Sequence, residues 1–356
     1  MKQKVRNTTI DIAKGIGIIL VIVGHCVYFG GYVHNWIFSF HMPLFFILSG
    51  LFFKETKIFE LVKKKTKQLL IPYLIFCAAG LLLTLVIPSW RVNFSIDGII
   101  KDIYLGCPDC INVSSIWFLV CLFFTMIMLD ILLIIKKKSA VLSYIFLGLT
   151  VVFGFLCSKI SSVIPFLPAN RLPLDIDCAC VALLFLWFGF FFKNRILNLI
   201  SKIEEKSIVL QCVLLIFALL LSVLMVFLNK RVNMHGLTYN NWILFVIGAI
   251  SGFIAVILLS IIIKHFKVIK NWFIWFGRNT LKIIGVQSIV IRVYLLIANL
   301  IAGKQYELYF LPIEHVVLDC VFSTVLTGMM VTLFNFVRNR VMKRGNNIES
   351  KKNKKL

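Results

Sequence analysis

Asp11, Lys14 and His25 are the residues of this chain best placed to do chemistry, because they interrupt a stretch, "IDIAKGIGIILVIVGHC", otherwise apolar enough to cross a membrane. An ionisable side chain inside a bilayer costs roughly 3 kcal/mol or more, so three in one span need a partner, an escape to water or a task. At about 100° per residue a helix sets Lys14 about 20° from His25 around the axis and Asp11 about 40° from it, so all three share one face. A lysine on that face can hold an anion. An imidazole, with an ordinary pKa of about 6.5, can take and return a proton near neutral pH. Asp11 and Lys14, close to the membrane boundary, also read as an i,i+3 pair or as snorkelling side chains. His25 lies about 15 residues into the span and needs a polar neighbour inside the protein.

The next span offers one. It contains "FSFHMPLFFILSG" and follows a short connection, so the first two spans are expected to form an antiparallel hairpin with His25 and His41 both in its outer half. His41 alone reads as a core histidine; two histidines on one cavity form a basic stripe. Pro43 is tolerable close to a helix start, where its missing donor has no partner to lose.

The elements that must carry these residues follow from composition. With 60% hydrophobic residues, 15% charged and a mean hydropathy of +0.96, the chain is expected to be an all-α, polytopic membrane protein rather than a soluble globule. Apolar runs predict ten transmembrane helices, near 10–29, 37–53, 69–88, 116–135, 139–157, 174–192, 207–228, 242–263, 279–300 and 313–337. The net charge of +23 sits in short clusters between these runs, the place of juxtamembrane cations, and no nucleic-acid partner is expected. Connections on the N-terminal side hold 28 Lys and Arg against 7 on the other, which puts both termini in the cytosol. Residues 1–345 are expected to be one transmembrane domain and 346–356 a basic cytosolic tail that faces water or anionic lipid. The first span, broken by Asp11 and Lys14 and lacking a small-x-small site, does not read as a cleaved signal peptide.

Most of the ten cysteines fall within spans and behave as small apolar residues. Cys107 and Cys110, in the longest outer loop, are free to form a disulfide, but two thiols bind no tetrahedral metal without partners, and no metal is expected.

The pattern R-x4-D-x2-K-x10-H at the N-terminus, then "FHMPLFFILSG", "KKKTKQLLIPY", "WFL" and "GRNTL", closely resembles the acyltransferase type 3 family of multi-pass membrane O-acyltransferases, in particular its fucose 4-O-acetylase-like branch. The resemblance runs over nearly the whole chain. It implies a ten-helix core and transfer of an acyl group, usually acetyl from acetyl-CoA, to hydroxyls of cell-surface glycans or lipid-linked sugars at the cell's inner membrane. It assigns the catalytic role to His25 and the paired cation to Lys14. The R-x2-R of the family falls on Lys65 and Gln68, or on Lys64 and Lys67 one register away, and Gln287 stands where many relatives place a histidine.

The chemistry of the residues agrees. CoA is cytosolic and polyanionic, and Lys14, Lys64, Lys65, Lys67 and Gln68 are the candidates to hold it at a cytosolic mouth. The rise from Lys14 to His25 is about 16 Å, a distance the pantetheine arm can bridge. His25, with Asp11 as the second catalytic candidate, would then act on the thioester either as general base or as acyl-accepting residue. His41, Asn35, Trp117, Arg171 and Asn279 are candidate acceptor-binding residues, although Trp at a span end also serves as an interfacial anchor and Asn as a cap. Asp130, Asp175, Asp177, Glu314 and Asp319 are candidate partners for Lys282 or Arg292 inside the spans. The competing class is an exporter of a glycan or lipid-linked intermediate, which also needs many helices and buried charges; the internal repeat that would favour it is not found.

Overall fold

The computed structural model describes residues 7–26, 31–91, 94–161, 171–303 and 313–353. Their order is α1 (Thr8–Cys26), α2 (Tyr32–Leu51), α3 (Ile58–Lys65), a π-helical turn (Thr66–Leu70), α4 (Ile71–Val86), α5 (Ile96–Leu105), α6 (Trp117–Lys138), α7 (Ala140–Ser161), α8 (Ile176–Phe191), α9 (Lys193–Glu204), α10 (Ile208–Asn229), α11 (Trp242–Ile263), α12 (Lys267–Arg278), α13 (Thr280–Ala302) and α14 (Ile313–Asn353). Among the described residues there is no strand beyond an isolated bridge between Asn233 and Thr238. The protein is an all-α polytopic membrane protein.

Nine stretches among the described residues are long and apolar enough to cross a membrane. Ten were expected, and the difference is α2, whose 20 residues suffice in length but include His34, Asn35 and His41. Lipid would not tolerate that polarity, and α2 is instead packed among α1, α8 and α11. Four connections also fold in part as short helices, α3, α5, α9 and α12, because apolar residues recur along one side of each. The last helix continues into the basic tail as far as Asn353.

Burial separates the bundle into a centre and a lipid-facing ring. In α1 72% of the spanning window is buried, against 22% in α10, where Val209, Val213, Phe217, Leu220 and Leu228 stand exposed as a surface for acyl chains. The polar helix is therefore the central one. It packs on α2, α11, α12, α13 and α14. Its crossing with α12 is close: a methyl group at Gly15 would collide with the Phe273 carbonyl, and one at Gly277 with the Asp11 carbonyl. Small residues let membrane helices approach this nearly because van der Waals contact, not expulsion of water, holds them together. The contact also brings Arg278 to Asp11, with Nε 3.5 Å from Oδ2.

Candidate active site

His25 lies in the last turn of α1, half-buried, on a cavity of about 30 Å³. Four other segments close that cavity: α2 with His41, the start of α6 and the turn ahead of it with Trp117 and Ser115, the α10–α11 loop with Asn233, Met234 and His235, and α13 with Ile284. His25 and His41 therefore face one space, as the hairpin reading expected. His41 Nδ1 lies 2.8 Å from the Ile37 carbonyl, so it donates its proton there and leaves Nε2 with a lone pair. Phe38 stands between the imidazoles, its ring 6.0 Å from that of His25 and 4.8 Å from that of His41. Ser115 Oγ is 3.4 Å from His25 Nε2 and 2.7 Å from Ser288 Oγ on α13.

Local hydrogen bonding explains how a loop reaches so far into the bundle. Buried Asn229 donates to the Tyr239 carbonyl at 3.1 Å and accepts from Asn241 N at 2.8 Å, clamping the α10–α11 loop across its base. Asn240 adds a bond to the Asn229 carbonyl at 2.8 Å, from a left-handed conformation (φ 53°) that asparagine tolerates better than most residues. Asn241 caps α11 by accepting from Ile243 N and Leu244 N. The clamped loop delivers His235, which stacks on Trp117 with centroids 5.0 Å apart and brings Nδ1 to 3.1 Å from Asp175 Oδ1.

Asp175 belongs to a larger ionic cluster. Arg171 donates to Asp175 Oδ1 at 2.8 Å and to both oxygens of Asp177, at 2.9 and 3.2 Å. Burial opposes the charge of Arg171, but Asp177 and Asp175 outweigh it and hold the guanidinium above its ordinary range. Arg171 is thus committed to two carboxylates that are themselves wholly buried. Of the carboxylates that were candidates for Lys282 or Arg292, Asp175 and Asp177 meet Arg171 and Asp319 accepts from Ser323 at 2.7 Å, while Lys282 bonds Asn335. Asp130 lines a cavity with Glu55 and Lys137, and the Glu314 side chain lies outside the described residues.

Toward the other end of α1, Lys14 opens on a cavity of about 150 Å³ with Ser49, Phe118 and Thr280, its Nζ 4.8 Å from the centre of the Phe52 ring. Leu69, from the π-helical turn, lines the same cavity and so places the basic cluster beside it; Lys65 is half-buried there, while Lys64, Lys67 and Gln68 are exposed. Ile284 of α13 lines both this cavity and that of His25. Asp11 lies about 21 Å along α1 from His25 by helical rise and is not among the residues lining the His25 cavity. Asn279 joins α12 to α13, donating to the Trp275 carbonyl at 2.9 Å and accepting from Asn335 at 3.1 Å. Asn35 lies 3.5 Å from His34 Nδ1 and is likewise not among the residues lining that cavity.

Sequence reading missed Ser115, Ser288, Asn233 and His235. Ser115 stands two residues before the Trp117 that was singled out, and His235 is a lone histidine in a loop rich in asparagine. Neither carries a spacing signal. Cys107 and Cys110 are both free thiols; burial first, then the carboxylates of Asp109, Asp175 and Asp102, push the Cys107 thiol well above its ordinary value. Gln287 is wholly buried, and neither its Oε1 nor its Nε2 has a hydrogen-bond partner among the described residues.

Residues 7–343 match the family model described as an acyltransferase domain. The chain is also similar to nodulation protein NolL of Sinorhizobium fredii (strain NBRC 101917 / NGR234), 38% identical over 87 residues, which are 20% of this chain and 24% of that protein. The similarity thus spans about a quarter of the relative's length. No solved structure matches.

Proposed function

Because the chain belongs to the acyltransferase family, whose domain model it matches over residues 7–343, we propose that it is a membrane O-acetyltransferase that moves acetyl from acetyl-CoA to a hydroxyl of a cell-surface or lipid-linked glycan. The observation that carries the reading is the pair of cavities that share Ile284, one opening on Lys14 and the other on His25. A cationic group stands at one end of the path and a basic group at the other. This is the order in which CoA presents its phosphates and its thioester. Lys14, with Lys64, Lys65 and Lys67 beside it, holds the phosphates, and the pantetheine arm follows α1 for about 16 Å to His25.

At His25 the imidazole takes the proton of the acceptor hydroxyl while its oxygen bonds to the thioester carbonyl carbon. The C–S bond then breaks, and the imidazolium returns the proton to the departing thiolate. A route through acetyl-imidazole, with His25 itself attacking, uses the same placement. His41 and Trp117 line the acceptor side, and Arg171 acts from behind by fixing Asp175, which holds His235 against Trp117. Asp11 serves the reaction indirectly, by holding α1 to α12 through Arg278. The Lys and Arg bias places the Lys14 end, and both termini, on the cytosolic side of the inner membrane.

Mass spectrometry of surface glycans from cells with and without the gene tests this reading: an acetyl group should be present only with it. If the folded, purified protein also fails to bind acetyl-CoA, the acyl-donor reading is lost and an exporter takes its place.

A further inference from the structure

We propose that Cys107, Asp109 and His235 form a zinc site on the rim of the cavity that holds His25. One ligand atom from each, the thiol sulfur, a carboxylate oxygen and a ring nitrogen, lie within 4.8 Å of one another. Around a tetrahedral zinc such atoms stand about 3.5 Å apart, so closing the site asks for side-chain movements on the order of 1 Å. Asp109 is exposed and has room to turn. The sequence pointed away from a metal because the C-x-x-C lacked partners; the fold supplies one, since the α10–α11 loop carries His235 to the loop that follows α5. Cys110 is occupied elsewhere, its backbone N–H 2.8 Å from Asp102 Oδ2 and its thiol bonded to the same carboxylate.

A second feature points to a cation here. Asp175 is wholly buried; its Oδ1 meets His235 and Arg171, whereas its Oδ2 has no hydrogen-bond partner among the described residues. A buried carboxylate oxygen left in that state is costly, and a dication held by the adjoining imidazole offsets the cost. The neighbourhood is also short of positive charge. Asp102, Asp109, Asp175 and Asp177 gather around Cys107 and Arg171, with Lys101 as the further cation near Asp102. With the His235 Nδ1 proton donated to Asp175, the other ring nitrogen keeps its lone pair, the carboxylate support that ligand histidines usually have.

The donor set selects the metal. Sulfur, nitrogen and oxygen together suit zinc, whereas magnesium and calcium prefer oxygen alone. Three protein ligands leave a fourth position for water or a hydroxyl. The Cys107 thiol now makes a weak bond of 3.7 Å to the Ser114 carbonyl, and on coordination it gives its proton to solvent.

The test is metal binding by the full chain in detergent, stripped with chelator and titrated with Co(II) as the probe, then with Zn(II) in competition. It does not depend on acetyl transfer. The wild type should take about one equivalent with the near-ultraviolet band of a cobalt–thiolate bond, which zinc then displaces. Cys107→Ser should lose the band. Asp109→Asn, an exposed change that leaves folding intact, should weaken binding at least 10-fold. Cys110→Ser should behave as wild type. Absence of the band in folded wild-type protein, its survival in Cys107→Ser, an unchanged affinity in Asp109→Asn, or its equal loss in Cys110→Ser would each overturn the site.

Discussion

Ser115 Oγ lies 3.4 Å from His25 Nε2 and 2.7 Å from Ser288 Oγ, so a short hydroxyl chain ends on the imidazole proposed to act as the base. Both hydroxyls can give or accept. If Ser288 donates to Ser115, Ser115 donates to His25 and occupies its lone pair; if the chain reverses, His25 Nε2 carries the proton and Ser115 accepts it. The longer bond, to His25, is the weaker of the two. An incoming hydroxyl can displace it at little cost, and Ser288 keeps Ser115 in place when it does.

The first prediction concerns that serine. Ser115→Ala should lower kcat by about 10-fold and leave the KM for acetyl-CoA unchanged, since it alters the proton's setting and not the donor's grip. Ser288→Ala, one bond further away, should cost less. Steady-state kinetics on purified protein checks both, and an unchanged kcat for Ser115→Ala would remove it from the reaction.

Lys14 and the lysines of the π-helical region should behave differently from each other. Lys14→Ala is expected to raise the KM for acetyl-CoA more than the combined change of Lys64, Lys65 and Lys67 to Ala, because Lys14 lines the cavity itself whereas Lys64 and Lys67 are exposed, screened and replaceable. High salt should weaken what the variants retain. An equal KM in Lys14→Ala and wild type would move the phosphates elsewhere.

Ile284 lines both cavities and is therefore the place to obstruct the path. Ile284→Trp should abolish transfer while leaving a donor fragment without the pantetheine arm able to bind at the Lys14 end; Ile284→Ala should stay active. Calorimetry with a truncated donor such as 3′,5′-ADP, together with the transfer assay, separates blockage from unfolding.

Removing Arg171 leaves Asp175 and Asp177 buried without their cation. Arg171→Ala should destabilise the protein by about 3–5 kcal/mol, and adding Asp177→Asn should restore part of the loss. Thermal unfolding in detergent would reveal both. A neutral Arg171→Ala would mean the cluster is open to water.

What the sequence showed, and what it hid, follows from how each residue reaches its place. Lys14 and His25 were placed on one face by the period of a single helix, and they line two cavities that share Ile284, whereas Asp11 meets Arg278 of α12. The long apolar runs were legible from composition, most with ends within a few residues, although α14 runs on to Asn353; α2 was blurred by its own polar residues, and α5, α9 and α12 by their shortness. Ser115 and His235 were not legible. Each arrives on a turn or loop whose position depends on packing between segments far apart in the chain, and no periodicity records that. Arg171 was singled out for substrate, yet it meets Asp175 and Asp177, four and six residues on, a pairing that depends on a turn no periodicity records.

His25 is proposed to do the chemistry at the end of a donor path that begins at Lys14, and transfer of labelled acetyl from acetyl-CoA by His25→Ala protein, inserted and monodisperse like wild type, is the decisive measurement. The kcat should fall by about 10² to 10⁴ with acetyl-CoA affinity retained. Transfer at close to the wild-type rate by folded His25→Ala protein would remove His25 from the reaction.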